Sequence, residues 1–294
     1  MKNKIIILGI DALEYDLVEE WDLKYLKQKA YCKTDLSDFD VIITPSIWGA
    51  MLTGKKIEEI EEIFLRRARF FSEHGVNIKS NPEQYVIAKI FRKILPKKIK
   101  DYVSKNLSRK FLPDPFKKTY NIIQRKRYTT IFDFFEKIWN NGIPAYNRNV
   151  STKEEKQLME KAIRGDVKSL YNYSMQLYKK EKEELLKAIT EDYDLIFWYT
   201  PFLDKIEHFY IAKKAKLLNI YMELNNLVKI VKEKLDDNDV LYIISDHGMI
   251  PVEDDPRGGD HSDHGFFSSN TGELIKKPQD LFYLIKKKAE EVKR

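Results

Sequence analysis

Three unbroken apolar runs, Lys4 to Ile10, Asp194 to Tyr199 and Val240 to Ser245, dominate the hydropathy pattern of the chain. Runs rich in β-branched residues with no polar alternation are expected of strands buried on both faces of a parallel sheet. The stretches between them have helical period. Ala12 to Val18 is one, and Thr44-Pro45 opens another that runs through Trp48, Met51 and Leu52 to Thr53-Gly54. A threonine before proline is a favourable helix start, because its hydroxyl can cap free N–H groups and proline at the first position gives none up. Asp40 to Ile43 is a second apolar stretch leading into that helix. Thr130 to Phe135 predicts a helix ended by Asn141-Gly142, Ile143 to Val150 a short strand, Lys153 to Ile189 a long polar helical cover, and Asp204 to Asn226 a helix. Strands alternating with helices define an α/β class with a mostly parallel central sheet and helices on both faces.

The chain has 294 residues, 43% of them hydrophobic, which suits one domain (1–294) with an insertion rather than two equal domains. Its single cysteine, Cys32, has no partner for an internal disulfide, and the run from Ile5 to Ile10 is short for a signal-peptide core. No run reaches the roughly 18 apolar residues of a membrane span. The expectation is a soluble, cytoplasmic protein.

The net charge of +6 is unevenly spread: Lys89 to Arg127 holds fourteen Lys or Arg against Asp101 and Asp114, which is +12, leaving −6 elsewhere. Residues 55–128 form a charged, helix-like block, read as a basic helical insertion or cap. Within 85–127, Ile87, Ile90, Phe91 and Ile94 fall at helical spacing, so the segment is either a solvated face packed on the body or a peripheral surface for anionic membranes and polyanionic substrates. Its aromatic residues read as packing, which disfavours nucleic acid.

The candidate chemistry sits where the apolar runs end. Asp11 follows the first run; Asp246-His247-Gly248 follows the last; Asp204 and His208, four apart on a helix, share one face. Each has an ordinary explanation: Asp11 and Thr44 as helix caps, Asp204 and His208 as a surface pair, Asp246 as a turn residue. His261 lies in the loop Gly258 to Phe267 with His264 as a rival, and His74 falls in the charged block. Taken together, carboxylate, imidazole and hydroxyl suit two divalent ions with a phosphate between them.

The strings Gly9-Ile10-Asp11, Thr44-Pro45-Ser46-Ile47-Trp48 to Thr53-Gly54, Asp204-Lys205-Ile206-Glu207-His208, Ser245-Asp246-His247-Gly248-Met249 and Gly259-Asp260-His261, in this order, resemble the alkaline phosphatase superfamily, and within it the type I phosphodiesterase/nucleotide pyrophosphatase branch. The likeness covers the first 54 residues and roughly 130 to 270; the block between resembles nothing recognisable. It implies an alkaline-phosphatase-like fold, one metal held by Asp204, His208 and His261, and another held by Asp11, Asp246 and His247. It also implies that Thr44 touches the second metal and is the nucleophile, passing through a phosphothreonine that water hydrolyses. His261 is preferred to His264 because the family's ligand stands a few residues before a strand-opening glycine, here Gly265. Ile47 stands where many nucleotide pyrophosphatases carry asparagine, which removes one donor to phosphate oxygens, and the cysteine and arginine of sulfatases are absent.

The expected activity is a metal-dependent phosphodiesterase on a nucleotide or lipid-linked phosphodiester, with zinc favoured and manganese compatible with the same ligands. A phosphomonoesterase or phosphoryl transferase on the same scaffold is the alternative, followed by a non-catalytic anionic-surface-binding protein.

Overall fold

The computed structural model describes residues 3–39, 42–55, 59, 123, 127–148, 152–253 and 257–292. The basic block at 55–128, and the amphipathic segment 85–127 within it, fall almost wholly outside them.

Six strands form the central sheet: β1 (Ile5–Ile10), β2 (Ala30–Asp35), β3 (Ile138–Asn140), β4 (Leu195–Thr200), β5 (Val240–Ser245) and β8 (His264–Ser269), in the order β2-β8-β5-β1-β4-β3. The four strands from β5 to β3 run parallel, and β8 and β2 add an antiparallel edge. The three apolar runs are therefore the adjacent central strands β5, β1 and β4, each buried at every position. Alternate residues feed opposite faces. Ile6, Leu8 and Ile10 pack with α5 (Val167–Ala188), α6 (Phe202–Tyr210) and α7 (Lys214–Lys232). Ile5 and Ile7 pack with α3 (Thr44–Thr53) and α8 (Asp280–Val292). Among the described residues the helices are completed by α1 (Tyr15–Glu20), α2 (Lys24–Lys27) and α4 (Lys153–Ile163), and none is long and apolar enough to cross a membrane.

Register explains why the chemistry converges. Gly9 pairs with Tyr199 on one side and Ile244 on the other. Two residues further along, Asp11 emerges level with Asp246, while its N–H bonds to Thr200 O at 3.1 Å. The carboxyl ends of three parallel strands thus open on one edge of the sheet. A two-stranded hairpin of β6 (Met249–Pro251) and β7 (Gly259–His261) then folds back, pairing Met249 with His261 and returning that histidine over His247.

Several local expectations are corrected. The described part of the strand expected from Ile143 to Val150, residues 143–148, is not a strand; the edge strand lies just before Asn141-Gly142, at Ile138–Asn140, and Thr130 to Phe135 contains only a 3₁₀ turn over Ile131–Phe134. The helix from Asp204 to Asn226 is two helices, and Lys153 to Ile189 is broken at Gly165, whose φ of +109° no helix accommodates. Neither proposed cap operates. Glu14, not Asp11, accepts from the first turn of α1, and Thr44 makes no cap hydrogen bond.

Candidate metal centre

Asp11, Asp204, Asp246, His208, His247 and His261 meet at the open edge, with Thr44 beside them. His208 Nε2 lies 3.4 Å and His261 Nε2 3.6 Å from Asp204 Oδ1. His247 Nε2 is 3.4 Å from both Asp11 Oδ1 and Asp246 Oδ2, and 3.4 Å from the Thr44 hydroxyl. The His261 ring stacks on His247 at 3.7 Å between centroids and is 5.3 Å from His208, so it joins the two halves. Helix α6 presents Asp204 and His208 because its other face, Phe202, Leu203, Ile206 and Phe209, is buried in the core.

The tautomers follow from the partners. His208 Nδ1 faces Gly259 O at 2.9 Å, His247 Nδ1 faces Gly248 O at 3.0 Å, and His261 Nδ1 faces Ile42 O at 3.2 Å. A carbonyl only accepts, so each Nδ1 carries the proton and each Nε2 turns a lone pair to the cluster when the ring is neutral. Carbonyl support of this kind orients a metal-binding imidazole. Burial, aided by the charge of His261, holds the His247 pKa down at about 3, so this ring is neutral at ordinary pH.

The acids are strained by their closeness. Burial and then the charges of Asp246 and Asp204 raise the Asp11 carboxyl well above the usual range; burial, with the Asp204 charge, raises Asp246 to about 7. Burial works in the same direction on Asp204, but His208 and His261 outweigh it and hold that carboxyl low. Asp11 Oδ1, Asp204 Oδ1 and both oxygens of Asp246 are buried without a hydrogen-bond donor. Buried acceptors without donors are costly and rare. These acceptors and three Nε2 lone pairs fit divalent cations in donor type and charge. Two groups have ligating atoms within 4.8 Å of one another: Asp204, His208 and His261; and Asp11, Asp204 and His247. Asp204 thus belongs to both, and Asp246 adjoins the second through His247.

His264 is directed elsewhere: its Nε2 lies 2.9 Å from Glu14 Oε1. Glu14 also accepts from Asp16 N and Met249 N, each at 2.9 Å, so it ties α1, β6 and β8 together. Glu14, Asp16 and His264 form a third such group, but both Glu14 oxygens are occupied and Asp16 pairs with Lys33 at 2.8 Å. Ile47 is fully buried and offers no donor to the site. Two neighbours were not foreseen. Tyr199 donates a short hydrogen bond to Asp11 Oδ2, and Arg257 Nη1 stands 3.4 Å from His208 Nε2. Tyr199 sits in an apolar run where every residue reads as core; its place at the run's carboxyl end was the available signal. Arg257 lies in an irregular loop with no pattern to single it out.

A mostly parallel α/β sheet with carboxylates, imidazoles and a hydroxyl gathered at the carboxyl ends of its parallel strands defines an alkaline-phosphatase-like hydrolase of phosphate esters. The chain belongs to the type I phosphodiesterase/nucleotide pyrophosphatase family, whose sequence profile matches residues 71–277. It is accordingly a metal-dependent phosphoric ester hydrolase of the phosphodiesterase/pyrophosphatase type. The matched span contains Asp204, His208, Asp246, His247 and His261; it also takes in residues 71–128, which by inspection resembled nothing, and begins beyond Asp11 and Thr44. No curated protein matches the chain.

Proposed function

We propose that the protein cleaves a phosphodiester by attack of the Thr44 hydroxyl, with two divalent cations, zinc by preference, one on Asp204, His208 and His261 and the other on Asp11, Asp246 and His247. The observation that carries this reading is the meeting of Thr44 Oγ1 with His247 Nε2 at 3.4 Å beside carboxylate oxygens that lack donors. Cations bound there would make the hydroxyl more acidic and draw charge from the phosphoryl oxygens. Thr44 opens α3, so the positive end of that helix lies at the attacking hydroxyl and favours an incoming phosphate by its dipole, the Ser46 and Ile47 N–H groups being engaged by Ile43 O at 3.0 and 3.3 Å. In the first step the Thr44 hydroxyl gives its proton to solvent and its oxygen bonds to phosphorus as the P–O bond to the leaving alcohol or phosphate breaks, that oxygen keeping the electron pair. In the second, water bonds to phosphorus, the phosphothreonine P–O bond breaks and Thr44 Oγ1 regains a proton as the phosphomonoester leaves. The three Nδ1–carbonyl bonds keep the imidazoles fixed through both steps.

The substrate class we favour is a nucleotide or lipid-linked phosphodiester. The +12 charge between Lys89 and Arg127 supports an anionic substrate or a peripheral membrane contact from the cytoplasm. The test compares bis-p-nitrophenyl phosphate with p-nitrophenyl phosphate, using metal-replete wild type and Thr44→Ala. The diester should be preferred, and Thr44→Ala should lower its turnover about a thousandfold or more at unchanged metal content. Near-normal turnover by Thr44→Ala overturns the nucleophile, and hydrolysis of the monoester alone moves the activity to the phosphomonoesterases.

A further inference from the structure

The two oxygens of Asp11 have different surroundings. Oδ2 accepts the Tyr199 hydroxyl; Oδ1 has no donor and lies 3.4 Å from His247 Nε2. Tyr199 is itself held on every side. Its N–H donates to Asn141 Oδ1 and its carbonyl accepts from Asn141 Nδ2, both at 2.8 Å. Trp48, one helical turn from Thr44, meets the ring edge-on at 5.3 Å between centroids. The Arg148 guanidinium lies 5.1 Å from the ring centroid and is anchored at 2.6 Å by Glu181. A tyrosine so enclosed has one ring orientation, and its hydroxyl points one way.

We infer that Tyr199 is a positioning residue that restricts Asp11 to one-oxygen coordination and thereby biases the Asp11 site toward ions of low coordination number. The inference rests on the metal-dependent reading above. With Oδ2 engaged, only Oδ1 faces the cluster, which suits a four-coordinate ion such as Zn2+. Oxygen-seeking ions with six or more ligands, Ca2+ above all, gain from a carboxylate that can offer both oxygens. Tyr199→Phe removes one oxygen atom and leaves the ring contacts with Trp48 and Arg148 in place. It frees Oδ2 to turn toward the ion.

The experiment titrates metal-free wild type and Tyr199→Phe with Zn2+ and with Ca2+, following each binding step, and records the visible spectrum with Co2+ in the centre. In Tyr199→Phe one Zn2+ step should weaken by about 10- to 100-fold and the other stay put. The preference for Zn2+ over Ca2+ should narrow, and the Co2+ bands should lose intensity as the coordination number rises. Thermal unfolding of the metal-free variant close to wild type separates this from a general loss of structure. Zn2+ steps and Co2+ spectra identical to wild type overturn the inference, as does equal weakening of both steps. Failure of the wild type itself to bind two ions would instead sink the two-cation reading.

Discussion

His247 occupies the centre of the residue-scale argument, because a single Nε2 atom faces Asp11, Asp246 and Thr44 at 3.4 Å each. An imidazole kept neutral by burial beside carboxyls raised by burial is poised to exchange protons for a cation rather than to carry charge itself. The sign of the pH dependence follows. Asp246 of the metal-free protein takes up a proton as pH falls through about 7, and a protonated carboxyl does not bind a cation. Metal affinity should therefore be constant well above that pH and weaken progressively below it. Isothermal titration with Zn2+ at pH 6 and pH 8 checks this; equal affinity at both would contradict a ligand carboxyl that takes up its proton near pH 7. At this scale the sequence was informative where functional groups end an apolar run, as Asp11 and Asp246 do. It was less informative where a residue works through another, as Tyr199 does through Asp11: its place at the carboxyl end of an apolar run puts it near the site without revealing that its hydroxyl has a partner.

At the scale of elements, the position of Thr44 depends on how closely α3 approaches β1. Gly9 lies beneath Trp48: a Cβ added there would come within 2.8 Å of the indole and 3.2 Å of Phe197. Gly9→Ala must push α3 outward or displace the indole, and Trp48 is fully buried with no space to yield into. Overpacking of this kind costs about 1–3 kcal/mol. The expected outcome is a lower denaturation midpoint in urea together with a fall in turnover larger than the fall in metal content, since Thr44 moves while the ligands from β1 and β5 do not. Loss of stability with unchanged turnover would mean that α3 keeps its place. The three central strands were legible as unbroken apolar runs, buried at every position, and α3 by its bracketing Thr44-Pro45 and Thr53-Gly54. The strand Ala30–Asp35 was not, since an edge strand with the pattern of partly exposed Ala-Tyr-Cys-Lys-Thr-Asp has no unbroken apolar run. The single helix expected from Asp204 to Asn226 failed for a related reason: a helical period does not reveal a break when both halves bury one face, as α6 and α7 do.

The whole molecule stores electrostatic conflict at one edge of the sheet. Three carboxylates arrive there from the ends of β1, β4 with α6, and β5, and the hairpin of β6 and β7 adds the imidazole that spans them. Cations bound at that edge would tie together segments nearly the full length of the chain apart, and an ion that binds only the folded state stabilises it in proportion to the logarithm of its concentration over Kd. Strand order was beyond reach of the sequence, since apolar runs show which strands are central but not that β8 lies between β5 and β2. That the edge holds carboxylates and imidazoles together could be read from the runs' ends. Removal of metal gives the test at this scale. In the metal-free protein Asp246 has a raised pKa, so between the ordinary carboxylate value and about 7 the folded state binds more protons than the unfolded one. Stability contributed by that proton is present at low pH and is lost as pH rises through this window. His261, raised by Asp204 against the effect of burial, has the same sign. His247, depressed to about 3 by burial, acts with the opposite sign below the ordinary imidazole value, so the raised groups are read above it. Chelated protein should therefore melt lower at pH 8 than at pH 6.5, whereas Zn2+-loaded protein should show the opposite trend because its ligands must be deprotonated. Parallel calorimetric profiles with and without metal would mean that the acids at this edge are not what a cation relieves.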